Sequence, residues 1–310
     1  MTRWLAALLA MALSAGAQNF TFWQMSDLHS PLAPSGVTIA AARDLAATGV
    51  GQTGVPAFLL VTGDLTEFGW GEGGATLEGW FADWPTPVYM VPGNHDTVWW
   101  PMRHTLQSWA QGLPWSFDHD GCHFIGLDSS GRQDPRPGFS VEELAWLAAD
   151  LERVGPQTPV FIAFHHPLQG TEWASSYDYE RLLAIIRPYN VVLMMVGHGH
   201  NAVHLRTGDY DLVEGGSTFD NGADPRHHGH SGFNIIEVRD GQLKVSYKLN
   251  TDTTPSRVLL EKSLAPRPVV PALAFTSPTT AEVARGPLAV QVALPLLFTA
   301  EIRLTWRRMP

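Results

Sequence analysis

Five short segments of this 310-residue chain concentrate side chains able to bind metal ions or move protons. They are Asp27-Leu28-His29, Gly63-Asp64-Leu65-Thr66-Glu67, Gly93-Asn94-His95-Asp96, His165-His166-Pro167 and Gly197-His198-Gly199-His200. Taken singly, each has an ordinary structural explanation. Asp27 and His29 could cap a helix, Asp64 could be a turn aspartate, Gly93-Asn94 could form a tight turn, and the histidine pairs could be loop residues. Together they share something turns do not require: each closes an apolar run, at Phe20 to Met25, Ala57 to Val61, Val88 to Val91, Val160 to Phe164 and Val191 to Val196. Imidazoles and carboxylates in one set suit first-row divalent cations such as Mn, Fe, Co, Ni or Zn, and Asn94 adds a neutral carbonyl oxygen. No cysteine stands near them, which argues against a closed structural zinc site.

To bring these segments together, the apolar runs must be strands that end on one side of a sheet. Open α/β sheets collect their ligands beyond the carboxyl ends of the strands. Helical patterns separate the runs, around Val37 to Ala47 and over Val141 to Val154, where Ser140 is a fitting N-cap and Glu142 and Glu143 fall in the first turn. Further on, shorter strands without helices are expected at Ala202 to Arg206, Tyr210 to Glu214, Phe233 to Val238 and Leu243 to Leu249. The pattern predicts an α/β fold in which a mixed sheet packs on a second sheet, with helices outside. Residues 18–254 are expected to form this domain. From Pro255 to Pro310 a Pro-rich linker enters a small β segment, with strands at Leu288 to Leu294 and Ala300 to Trp306, too short for a complete immunoglobulin-like sandwich.

In this order the five segments resemble the calcineurin-like metallophosphoesterase family, over Phe20 to Leu249, and GDLTE and GNHD resemble its cyclic-nucleotide phosphodiesterase-like branch. The resemblance implies a four-layer α/β/β/α sandwich of mixed sheets and a centre of two divalent metal ions. Carried over by position, Asp27, His29 and His200 hold one metal, Asp64 bridges, and Asn94, His165 and His198 hold the other. His165 is chosen over His166 because the family ligand stands two residues before the proline. His95 matches the family's non-ligand histidine and would protonate or stabilise the leaving group, with Asp96 placed to orient it. Two cations roughly 3.5–4 Å apart can share a bridging hydroxide and clamp a phosphoryl group for in-line attack.

The formal net charge of −10 excludes broad electrostatic capture of nucleic acid and would repel a phosphorylated substrate. A local inversion of sign is therefore required. Two divalent ions supply four positive charges against three negative ones from Asp27, Asp64 and a hydroxide. The expected partner is a small phosphorylated molecule, and the expected reaction is hydrolysis of phosphate esters, diesters before monoesters. The alternative is a non-catalytic or weakly catalytic metal-binding protein that uses its C-terminal β segment for attachment. Residues 1–17 read as a signal peptide: Arg3, an apolar run from Trp4 to Leu13 too short to span a bilayer, and the small residues Ala15-Gly16-Ala17. Export without a transmembrane anchor is the expectation. Cys122, the one cysteine, lies in an apolar run and is expected to be buried and inert. His227, His228 and His230 read as a solvated loop, and Trp99, Trp100 and Trp173 as packing residues in preference to pocket walls.

Overall fold

The computed structural model describes residues 18–68, 72–98, 112–131, 134–169, 173, 177–219, 231–250, 252–266, 274–277 and 291–293. In chain order, β1 (Asn19–Met25), α1 (Ala33–Thr48), β2 (Leu59–Thr62), α2 (Glu72–Phe81) and β3 (Val88–Val91) come first. A hairpin of β4 (Trp115–His119) and β5 (Cys122–Gly126) follows, then the short pair β6 (Ser130–Gly131) and β7 (Asp134–Pro137). Next come α3 (Val141–Val154), β8 (Val160–Ala163), α4 (Tyr177–Ile186) and β9 (Val191–Val196). The last stretch carries strands alone: β10 (Val203–Thr207), β11 (Tyr210–Glu214), β12 (Gly232–Arg239), β13 (Gln242–Leu249) and β14 (Arg257–Ser263).

These strands form two six-stranded mixed sheets, in the orders β14-β13-β12-β1-β2-β3 and β10-β11-β9-β8-β5-β4. Strands buried on both faces read as continuous apolar runs, and alternate side chains go to opposite sides. On β1, Phe20 and Phe22 join the core between the sheets, while Trp23 and Met25 pack under α1 and α2. On β8, Phe161 and Ala163 meet that same central core, while Val160 and Ile162 face α3 and α4. Three apolar interfaces thus separate four layers, α/β/β/α, as expected. The helix expected at Val141 to Val154 has those bounds, and its Ser140 hydroxyl accepts the Glu143 N–H at 3.1 Å.

Two helices were not legible in the sequence. The one at α2 carries three glycines in ten residues, which masks its pattern. The linker expected from Pro255 also needs correction, because Arg257–Ser263 is β14, paired antiparallel with β13. Leu259 and Leu260 pack on the central core, and Lys262 Nζ reaches Asp211 at 2.5 Å. Pro255 stands just ahead of the strand, where a missing N–H removes no ladder hydrogen bond.

The chain divides into two compact units, Met1–Pro266 and Arg267–Pro310. In the second, β15 (Ala274–Ser277) pairs antiparallel with β16 (Gln291–Ala293), which falls within the expected strand at Leu288 to Leu294. Residues 1–17, Trp99, Trp100, His227, His228, His230 and the expected strand at Ala300 to Trp306 lie outside the described residues. Among the described residues no helix is long and apolar enough to cross a membrane.

Candidate metal centre

Parallel pairing of β1 with β2 and of β2 with β3 brings their carboxyl ends to one edge, and β8 and β9 end likewise in the second sheet. The loops keep pairing beyond the strands. Asp27 N–H donates to the Gly63 carbonyl at 3.0 Å, His29 N–H to the Asp64 carbonyl at 2.8 Å, and Gly197 N–H to the His165 carbonyl at 2.8 Å. The two sheets are joined here as well, since His165 Nδ1–H donates to the Thr62 carbonyl at 2.8 Å.

Five residues at these ends hold left-handed backbone without being glycine: Asp27 (φ 52°), His29 (47°), Asp64 (48°), His198 (74°) and His200 (59°). Each such conformation costs on the order of 1–3 kcal/mol and persists where the surroundings over-determine it. The other two described cases, Asp120 and Asp240, each precede a glycine in a hairpin turn, where this geometry is favoured. Strain in the described chain is therefore gathered where the metal-competent side chains meet.

Ligating atoms of Asp27, His29, Asp64 and His200 all lie within 4.8 Å of one another. A second set adjoins it through Asp64. Asp64 Oδ2 is 3.3 Å from His165 Nε2, while Asn94 Oδ1 is 3.1 Å from His165 Nε2 and 2.9 Å from His198 Nδ1. His29 Nε2 is buried with no hydrogen-bond partner and lies 3.6 Å from Asp64 Oδ2. An orphaned imidazole nitrogen beside two fully buried carboxylates, Asp27 and Asp64, is a donor set that fits cations. The hydrogen bonds that fix the rings agree, because the Nδ1 bonds of His165 and His29 leave Nε2 of each ring toward the centre. His29 Nδ1 is held by Glu67 Oε2 at 2.5 Å, a contact the sequence did not reveal. His166 groups with His165 and His198, and its Nδ1 is engaged by Ser129 Oγ at 2.9 Å.

Electrostatics follow the same layout. Burial raises the Asp64 carboxyl, but His165, His29 and His95 outweigh it and hold it well below the usual carboxylate range. Burial also opposes ionisation of Asp27, and His200 reverses the balance downward. Burial alone would depress His165, yet Asp64 beside it pushes the ring up to about 10.

His95 stands beside both sets. Its N–H donates to Asp64 Oδ1 at 2.9 Å, its Nδ1–H to the Glu67 carbonyl at 2.5 Å, and its Nε2 lies 4.0 Å from Asp64 Oδ2. Asp96 does not orient it in the manner expected. The Asp96 carboxylate instead accepts the N–H groups of Leu65 (3.0 Å), Thr66 (2.8 Å) and Gly93 (2.9 Å) and the Thr66 hydroxyl (2.9 Å). It ties the loop after β2 to the loop after β3, and Glu67 on the first of these loops supplies the carbonyl that orients His95. Burial and the neighbouring Asp64 charge push the Asp96 carboxyl up to about 6.

Of the glycines in the motifs, Gly63 needs its positive φ of 92°, whereas Gly93, Gly197 and Gly199 are required by close approach. A Cβ on any of these three would collide with Asp64, Ser26 or Glu214 respectively. Trp173 packs in the core under α3 and α4, with its Nε1–H on the Pro167 carbonyl at 2.8 Å. Cys122 is fully buried, and burial together with Asp120 pushes its thiol up to about 12, so it is no nucleophile at neutral pH.

A four-layer α/β/β/α sandwich with carboxylates, imidazoles and one amide gathered at its central strand ends is the layout of a metallohydrolase. The calcineurin-like phosphoesterase family profile matches residues 20–202, and the chain belongs to that family. A 3',5'-cyclic-nucleotide phosphodiesterase of Nostoc sp. is 31% identical over 148 residues, 46% of this chain and 55% of that protein. A probable glycerophosphodiester phosphodiesterase of Arcobacter nitrofigilis is 28% identical over 163 residues, 47% of this chain and 57% of that protein. The chain thus spans little more than half the length of these two relatives. Among solved structures, a dimetal phosphatase of Danio rerio has the same fold, with a TM-score of 0.59 at 14% identity, over 80% of this chain and 99% of that one.

Proposed function

We propose that this protein hydrolyses phosphate diesters at a dinuclear centre formed by Asp27, His29 and His200 on one side, Asn94, His165 and His198 on the other, and Asp64 shared. The observation that carries this reading is the Asp64 carboxylate, within reach of both sets of candidate ligands, with His95 Nε2 4.0 Å away, so that the carboxylate and the ring face the same space. The relatives named above, both phosphodiesterases by name, support diesters over monoesters. A bound pair of divalent cations supplies activated water and neutralises phosphoryl charge. The protein's own groups do the rest. Glu67 and the Thr62 carbonyl hold the ligand rings, and Asp96 fixes the loops. His95, with its Nδ1–H committed to the Glu67 carbonyl, presents Nε2 to the leaving oxygen. One P–O bond forms to the water oxygen and the P–O bond to the leaving alcohol breaks. His95 Nε2 gives its proton to the departing alkoxide, and the proton lost by water restores the ring through solvent.

The test is turnover of bis(p-nitrophenyl) phosphate beside p-nitrophenyl phosphate by protein reconstituted with Mn, Fe, Co, Ni or Zn. The diester is expected to be the better substrate, with His95→Asn slowing it by about 10²–10⁴-fold and Asp64→Ala abolishing it. No turnover with any of these metals would refute the enzyme and leave the binding-protein alternative. Unchanged turnover in Asp64→Ala would refute the site. We further propose export, supported by the charge and apolar pattern of residues 1–17. Absence of the protein from the exported fraction would refute export, and a mature N-terminus other than Gln18 would refute cleavage after Ala17.

A further inference from the structure

Phe68 immediately follows the Glu67 that braces two histidines of the site, and it is the phenylalanine left exposed among the described residues, at 53%. Its ring lies 5.4 Å from that of His95, at an interplanar angle of 28°. It belongs to none of the three apolar clusters that hold the fold. Phe219, the other phenylalanine at the site, is used differently. It is half-buried and meets His29 and His200 edge-on, at 4.8 and 5.2 Å with angles of 73° and 87°, so it buttresses two rings of the ligand set.

We propose that Phe68 determines specificity: its exposed ring, stacked beside His95, receives a planar group carried by the leaving alcohol. The preferred substrates are therefore nucleoside or aryl phosphodiesters, and diesters of glycerol-type alcohols are poorer ones. This rests on the hydrolytic reading of the same site. The ester oxygen that takes the His95 proton lies next to His95, so the substituent on that oxygen comes against the ring stacked on it. Every nucleobase offers a π-face to such a platform whatever its hydrogen-bonding edge, whereas a glycerol chain offers none. The backbone before Phe68 is braced, with Glu67 N–H on the Ser30 carbonyl at 2.9 Å and the Glu67 carbonyl on His95, so the platform is set before a ligand arrives.

The experiment compares the full-length, metal-reconstituted protein with Phe68→Ala and Phe68→Leu. The leucine variant keeps apolar bulk beside His95 but removes the flat face. Cyclic AMP and bis(p-nitrophenyl) phosphate are the planar probes, glycerophosphoethanolamine is the non-planar one, and AMP binding is measured by calorimetry. Both variants are expected to lose about tenfold in kcat/KM on the planar diesters, chiefly through KM, and about tenfold in AMP affinity, the order of one lost stacking partner. Turnover of glycerophosphoethanolamine should change by less than about twofold. An equal loss on all three diesters with unchanged AMP affinity would mean that Phe68 only steadies His95, and would overturn the proposal, as would no change in either variant. Absence of turnover on every diester would instead sink the hydrolytic reading, and AMP affinity in the leucine variant would then decide the role of Phe68 alone.

Discussion

Replacing Gly93 with alanine adds one carbon atom and no charge, yet it should disable the centre. A Cβ at this position would stand 2.8 Å from Asp64 Cγ and closer still to its Oδ1 and backbone nitrogen. Carbon atoms in contact are ordinarily about 3.5–4.0 Å apart, so Asp64 must retreat by roughly 1 Å. It cannot do so freely, because its Oδ1 accepts the His95 N–H at 2.9 Å and its carbonyl accepts the His29 N–H at 2.8 Å. Overpacking of this kind costs about 1–3 kcal/mol of stability, which leaves the domain folded. A displacement of about 1 Å at a group shared by both halves of the centre is expected to lower kcat/KM by about 10²-fold and to weaken metal binding. Thermal melting of the metal-free protein, calorimetric metal titration and diester turnover read the three effects separately. A Gly93→Ala protein that melts a few degrees lower while keeping wild-type metal affinity and turnover would refute the claim that close approach to Asp64 is why glycine stands here.

Two further outcomes follow from the titrating groups. His165 is raised to about 10 without metal, so its ring is protonated at neutral pH and its imidazolium stabilises the metal-free fold most fully below the ordinary histidine value of 6.5, a contribution lost as pH rises through about 10. A cation needs the neutral ring, so binding must expel that proton, and affinity should weaken by about tenfold per pH unit for one proton displaced as pH falls from about 8 to 6. Calorimetry in buffers of different ionisation heat counts the proton, and binding with neither proton release nor pH dependence would remove His165 from the ligand set. Asp96→Ala should strip partners from three backbone N–H groups in a buried loop junction. The expected cost is about 3 kcal/mol, seen as a melting temperature lower by roughly 10 °C, with loss of turnover as the Glu67 loop loosens; a variant as stable as wild type would contradict this tie.

The sandwich was legible because strands buried on both faces leave unbroken apolar runs, and the candidate site was legible because five such runs end in metal-competent residues. Helix α3 was equally plain, since Ser140, Glu142 and Glu143 mark its start and its apolar residues keep helical spacing. Other parts left no local trace. Glycines at 73, 74 and 79 hide α2, and β14 lies between Pro255 and Pro266 and looks like linker until Leu259 and Leu260 find a core built by residues far away in sequence. The role of Asp96 was misjudged for a related reason. Adjacency to His95 suggested contact, whereas the short helical turn at His95–Thr97 sends the two side chains apart, one to the centre and one into the loops of Leu65, Thr66 and Gly93. Glu67 escaped notice because its carboxylate and its carbonyl serve two different rings, a division that only coordinates reveal.

At the strand ends the sequence departs from local preference in three independent ways. Asp27, His29, Asp64, His198 and His200 adopt left-handed backbone that costs each of them free energy. Asp27 and Asp64 are buried as carboxylates in a chain already carrying a net charge of −10. Gly93, Gly197 and Gly199 forgo side chains so that neighbouring atoms can approach more closely than a Cβ allows. Elsewhere the same rules are obeyed: left-handed aspartates occur in hairpin turns, and the strands of the central core carry apolar side chains between the sheets. Any one of the departures could be absorbed as an accident of packing. Their coincidence at five ligand-competent residues and three neighbouring glycines is what bound cations would explain, because positive charge at that point would offset carboxylate repulsion, give the orphaned His29 nitrogen a partner and offset the backbone strain through ligation. On the proposed reading the same charge would turn an acidic surface that repels phosphate into one that accepts it at a single place, so the local strain and the proposed capacity for a phosphodiester would have one origin.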